Sequence, residues 1–524
     1  MRWRQTRRGF LSTAATAGAI VGAGPWANSL SLSLAGAEAS QVTPDLVRFS
    51  PDIEPLVRLI EETPRDKCVE VFCEQLRRGL PYRVFLAALY LANIRTSEVD
   101  HPLAVLHSAH ELSLDLPVQE RLLPLFVALD SFKVHRPGND RGSGLKPLTG
   151  NLPAAEHAEA ELHAAMRAFD RERAERAVVA LWRHHGMARV AEPLWHYGAR
   201  DWTFIGHFAI WAANCWRPLP VIGWQQAEPI LRVVTTSLVG EDQMLRGQPY
   251  AANCEHVAKA KTTLPADWAD SVPDVGLTKE LLSLIRERRT DEACQLAARQ
   301  LSEGKAKAGA IWDAIHLAAG EMILCAQKNS EPLHANTAAN ALHYAFRASG
   351  DAGNRLLILL QAVGWMCLYR SALARKGWLK EAKQLTEIEA VDLPQREDAA
   401  VEDILSQLSF GAGNPPTPDA IPGWKGAQFN HQPWRYQAAC KVFAFARRFS
   451  DSQRLVREAF RLLPRKADWD PHRIKFPLAA CENVDWVSSE WRPHLLAAAS
   501  CSFLGADALD TDLAQQVREA LRGL

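Results

Sequence analysis

The sequence predicts an all-α fold of degenerate helical-hairpin repeats, and three features predict it. Apolar residues recur at helical spacing in segments rich in Ala, Leu, Arg and Glu. Strand-like alternation bounded by Asn-Gly or Asp-Gly turns is missing. The third feature is a phrase that returns: a histidine, an apolar helix, then a second helix. His101, His207 and His334 open "HPLAVLHSAHELS", "HFAIWAANCWRPL" and "HANTAANALHYAF", and the helices that follow begin near Leu122, Ile230 and Leu356. "PHRIKFPLAACENVDW", with a further helix from His494, reads as a fourth unit led by His472. Such repeats bury shared faces by stacking or by closing into a toroid, so equivalent positions point the same way. If the units close, the four histidines converge.

The chain opens with "MRWRQTRRGFLSTAATAGAIVGAG", in which Arg7 and Arg8 precede a weakly apolar run and Ala37-Glu38-Ala39 supplies a small-residue cleavage site. That order is the twin-arginine export pattern. The apolar run is shorter than the roughly 18 to 20 residues of a membrane span. The expectation is therefore a removed signal over 1–39, passage through the Tat translocase, and a periplasmic or secreted product with no stable membrane span. Loss of Arg2, Arg4, Arg7, Arg8 and Glu38 would leave the mature chain slightly acidic, whereas the full chain is balanced at 60 basic and 60 acidic residues. No basic footprint for nucleic acid appears.

Residues 40–524 read as one large helical domain. Helical patterns cover 84–94, 174–185, 277–289 and 356–377, and Gly/Pro-rich breaks at 134–153 and 410–426 divide the domain into sub-units 40–133, 154–409 and 427–524. The second break carries Trp424 and reads as a linker or a lid. Seventeen tryptophans suit inter-helix cores or the walls of an aromatic pocket. Ten scattered cysteines form no CxxC pair, and cargo that folds before export favours buried free thiols over disulfides.

The chain has no HExxH, GxSxG, P-loop or haem-attachment motif, and no dinucleotide GxGxxG outside the signal segment. What remains is histidine density. His184, His185, His196 and His207 fall within one stretch, with Glu192 and Asp201 available to orient an imidazole. With His334 they form the metal-ligand candidates. "HSAHE" sets His107, His110 and Glu111 on one helix face, and Glu331 lies three residues before His334. The register-equivalent His101, His207, His334 and His472, with Lys475 beside the last as an anion or carbonyl contact, are the catalytic candidates.

"HPLAVLHSAHEL", "LHANTAANALHYAF" and above all "DPHRIKFPLAAC" resemble the histidine-led phrases of the questin oxidase-like family. The wording is also similar to that of exported bacterial proteins with twin-arginine signals. The resemblance implies a helical oxidoreductase, with His101, His334, His472 and Lys475 at its site, and fungal relatives that open an aromatic ring by a Baeyer–Villiger type oxidation with NADPH. Two functions follow as expectations. One is an exported oxidoreductase acting on a small, aromatic substrate in a Trp-lined cavity through a histidine site, with a metal ion as the candidate cofactor. The other is a non-enzymatic helical repeat that binds a ligand or partner in the cell envelope. In that second case side chains plug the interior and no three imidazoles gather.

Overall fold

The computed structural model describes residues 46–97, 99–136, 144–325, 330–379, 383–409 and 433–522. Among these residues the regular structure is helical, with no strand. The expected signal over 1–39 and the 410–426 break with Trp424 lie outside the described residues, and the 134–153 break is described only in part.

Twelve helices carry the repeat, three per unit. The first unit is α1 (Tyr82–Arg95), α2 (His101–Asp115) and α3 (Leu123–His135). The second is α4 (Met187–Gly198), α5 (His207–Trp216) and α6 (Ala227–Ser237). The third is α7 (Ala308–Cys325), α8 (Ser330–Ala348) and α9 (Ala352–Arg375), and the fourth is α10 (Gln453–Lys466), α11 (His472–Trp486) and α12 (Arg492–Ser500). The second helix of each hairpin thus starts within a few residues of where the periodicity places it.

The middle helices of the four units pack in a closed cycle: α2 on α5, α5 on α8, α8 on α11 and α11 back on α2. The flanking helices close the same way one layer out, with α1 against α6, α4 against α9, α7 against α12 and α10 against α3. Each unit therefore lends its first helix to the last helix of the next. The helix Asp512–Ala520 rests on α3 and on the early helix Cys68–Arg77.

Burial follows position in the ring. Helix Arg171–His185 buries Ala174 and the run Ala177–Leu181 and keeps its terminal charges exposed. Helices α7 and α9 are buried on nearly every side and are long and apolar enough to cross a membrane, yet 94% and 89% of their apolar windows lie inside the fold. That is the signature of core helices. The buried charge on α7, Glu321, is held by Arg286 at 2.6 Å, by Arg370 at 2.9 Å and by the Leu385 amide. A carboxylate so enclosed is tolerated only when its acceptor sites are filled.

All ten cysteines are unpaired, eight of them buried. Burial pushes the thiols up, Cys68 and Cys73 to about 11, so they are protonated and unreactive at neutral pH.

Candidate metal centre

The four register-equivalent histidines meet at the N-terminal end of the inner ring. His207 Nε2 lies 3.1 Å from His101 Nε2 and 3.1 Å from His334 Nε2. The His472 ring sits 4.6 Å from that of His101 and 5.5 Å from that of His334, centre to centre. Among the described residues, His101, His207 and His334 form a group whose ligand atoms all lie within 4.8 Å of one another.

Local structure explains why each ring points inward. Asp100 caps α2: its carboxylate accepts from the His101 amide at 2.6 Å and also from His101 Nδ1 at 2.9 Å. A cap of this kind stabilises a helix by about 1 kcal/mol, and here it also orients the side chain. Asp470 does the same two residues before its histidine, accepting from the His472 amide at 3.0 Å and from Nδ1 at 2.8 Å. His207 Nδ1 donates instead to the Phe204 carbonyl at 2.5 Å, and His334 Nδ1 to the Ser330 carbonyl at 2.7 Å. His334 stands one turn inside α8 rather than at its first residue, because α8 already runs from Ser330.

The approach to His207 is tightly built. Ile205, a β-branched residue, has φ 44° and Gly206 has φ 77°. A Cβ at Gly206 would come within 2.8 Å of Ala338 Cβ and closer still to the Tyr369 hydroxyl, which donates to the Ile205 carbonyl at 2.6 Å. Left-handed backbone at a β-branched residue is strained and persists only where its surroundings over-determine it.

With Nδ1 spent on an acceptor, each imidazole presents the bare lone pair of Nε2 to its neighbours. Two lone pairs at 3.1 Å repel unless a proton or a cation lies between them. At His207, His334 and His472 protonation is opposed. Burial first, then Lys475 and the neighbouring rings, lower His207 to about 3 and hold His334 well below the ordinary histidine range. Burial lowers His472 to about 4 against the upward pull of Asp470. His101 holds the Asp100 carboxyl far down in turn, and for Asp470 the hydrogen bonds from His472 outweigh burial.

Lys475, one turn after His472, is 1% exposed and its Nζ has no hydrogen-bond partner. Burial lowers it to about 8. It also lines a narrow cavity below the histidines, with His107, Glu111, Asn214, Arg217 and Glu482 on the walls. Arg217 reaches Glu482 at 2.9 Å, His107 Nε2 at 3.1 Å and Asn340 Oδ1 at 3.3 Å, and stacks over Tyr344 at 4.2 Å. Val456, Phe460, Leu478 and Leu496 supply apolar walls beside these polar groups. The cavity is not lined by tryptophan, contrary to expectation, since Trp195, Trp312 and Trp365 are spent on packing between helices.

Three of the metal-ligand candidates stand apart from this group. His184 and His185 are exposed at the end of helix Arg171–His185, where His185 Nε2 meets the Ala155 carbonyl at 2.8 Å. His196 Nε2 meets the Tyr250 hydroxyl at 2.9 Å. Nearness in sequence carried them onto other helices and other faces. Glu192 and Asp201 do not back a histidine either: Glu192 accepts from Ser349, Gly350 and Asn354, and Asp201 from Thr203 and Gln248. Glu331 turns to Lys376 instead of His334. His107 faces the ring axis, but His110 points outward to the Tyr82 hydroxyl at 3.0 Å. The carboxylates that do orient the site, Asp100 and Asp470, were legible only as the acids of "DHP" and "DPH", directly ahead of two of the repeat histidines.

In comparisons with protein-family models, with curated proteins and with solved structures, the chain finds no match.

Proposed function

We propose that this chain is an exported, metal-dependent oxidoreductase that oxidises a small aromatic substrate at the four-histidine centre. One observation carries the reading: the imidazoles of His101, His207 and His334 bring their ligand atoms together, the His472 ring lies beside them, and each of the four has Nδ1 committed to an acceptor. A carboxylate or carbonyl on the far nitrogen is the outer support that metal-binding histidines use to set tautomer and raise basicity. The 3.1 Å between Nε2 atoms suits two ligands that share one ion at roughly 2.1 Å each. Imidazole donors suit iron, copper or zinc, and for redox chemistry iron or copper is the choice. Bound there, such an ion would exchange electrons with oxygen or substrate.

The chain's own groups have separate tasks. His101, His207 and His334, with His472 beside them, would hold the ion, and Asp100 and Asp470 orient the rings of His101 and His472. Lys475 keeps or releases a proton at Nζ beside the rings, and a cation on the imidazoles favours its neutral form. Phe204 and Trp469, each three residues ahead of its histidine, are 46% and 44% exposed and offer aromatic surface near the site. They support a flat apolar substrate. The questin oxidase-like likeness supports the same class, since "DPHRIKFP" supplies Asp470, His472 and Lys475. Export rests on the twin-arginine pattern of 1–39. The non-enzymatic reading expects that no pocket gathers three or more imidazoles, and the grouping of His101, His207 and His334 favours the enzymatic reading over it.

The test is elemental analysis, with an absorbance spectrum, of protein purified without chelator or affinity nickel. Near-stoichiometric iron or copper is expected. A colourless chain that takes up neither metal on reconstitution would overturn the proposal.

A further inference from the structure

We propose that the chain has a second ligand site, at the C-terminal ends of α8 and α11, that takes a small organic oxyanion, a carboxylate or a phosphate ester. It is separate from the histidine centre and does not depend on that reading. Two adjoining hollows of about 310 and 290 Å³ share Ser271, Gly309, His343 and Arg347 and make one groove, a size suited to a small molecule.

The donors in the groove are held in place. Arg347 lies over the Trp486 ring at 5.2 Å and makes no ion pair among the described residues. Stacking uses the face of a guanidinium and leaves its N–H edge free, so the fork is pre-organised for bidentate binding of an oxyanion. Arg492 is braced by two carbonyls, donating through Nε to Val487 and through Nη2 to Asp485.

The third group is His343, 5% exposed, its ring parallel to Trp312 at 4.0 Å and 1°. Its Nδ1 lies 2.8 Å from Nε2 of His316, which is fully buried. No hydrogen-bond partner occupies His343 Nε2 among the described residues, and the residue lines both hollows. A buried imidazole turned toward a groove beside a free guanidinium is a donor in wait for an acceptor. Of the acids on the same walls, Asp313 accepts from the Ser488 amide and Asp485 from Gln453 through one oxygen each, and Asp270 stands exposed at the rim of the second hollow. Burial raises the Asp313 and Asp485 carboxyls, which weakens their opposition to an anion.

Isothermal titration of the full chain with benzoate, phenyl phosphate and inorganic phosphate tests the proposal. The wild type should bind at least one, and Arg347→Gln should weaken it by about tenfold or more while Arg347→Lys, which keeps charge but loses the fork, falls between. His334→Ala, altered only at the histidine centre, should bind as the wild type does. Benzoate without phosphate would assign a carboxylate ligand, and phosphates without benzoate a phosphate ester. Either supports the site. No heat from any of the three, unchanged affinity in Arg347→Gln, or loss of binding in His334→Ala would overturn it. Circular dichroism checks that Arg347→Gln folds, and the lysine variant carries the test if it does not.

Discussion

The two halves of the histidine centre differ in what stands behind the imidazoles. His101 and His472, on adjacent helices α2 and α11, are backed by the carboxylates of Asp100 and Asp470. His207 and His334, on α5 and α8, are backed by backbone carbonyls. A carboxylate makes its imidazole more basic and brings negative charge near a bound cation, whereas a carbonyl orients without charge. One half of the ring thus supplies electrostatics, and the other supplies geometry locked by Gly206, Tyr369 and the first turn of α8. The same ring asks two different things of repeats that began alike.

The largest effect expected breaks the carbonyl-backed half. In the His207→Ala, His334→Ala double variant, loss of ligands should cost more than the roughly 10–100-fold that removal of an outer partner costs. Competition against a chelator measures the affinity of iron or copper, and circular dichroism should show the helices intact. Retained affinity would mean that these two rings are structural.

A smaller effect sharpens the contrast. Asp100→Asn and Asp470→Asn should each weaken metal binding by about tenfold, since the amide still orients the ring without its charge. If neither variant shifts the chelator titration, the carboxylate and carbonyl halves are equivalent and the division drawn above is wrong.

The smallest effect is on stability without metal. His207 at about 3, His472 at about 4 and His334 well below its ordinary value bind protons less readily folded than unfolded. The unfolded chain then takes up protons first as pH falls through about 6.5, so stability present above that value is lost toward pH 4. The low-lying Asp100 and Asp470 carboxyls add a further loss only at still lower pH. The melting temperature of metal-free protein should drop by a few degrees between pH 7.5 and pH 5. A flat or rising profile would count against neutral imidazoles at His207, His334 and His472.

Much of the fold was legible because it repeats. Apolar spacing placed α1, α9 and Arg171–His185, and the returning histidine phrase picked out α2, α5, α8 and α11 before any coordinate was known. The site was legible in part for the same reason: one register position, written four times, names His101, His207, His334 and His472. Local density was the weaker guide. His184, His185 and His196 lie close to His207 along the chain, yet a helix end and a change of helix send them elsewhere. Glu192 and Asp201 were set beside the histidines by proximity alone, and their acceptor atoms serve loops and caps instead.

By itself, then, the sequence determined that the chain is helical, that its units are related, and which residues occupy matching places in each unit. These are consequences of short-range spacing, which a single chain records directly. Tertiary structure alone decided that α11 returns to α2, that Nδ1 of each ring finds an acceptor, and that Lys475 is buried without one. Those outcomes depend on which helices become neighbours across as many as 371 residues, from His101 to His472, and on packing that no local pattern encodes.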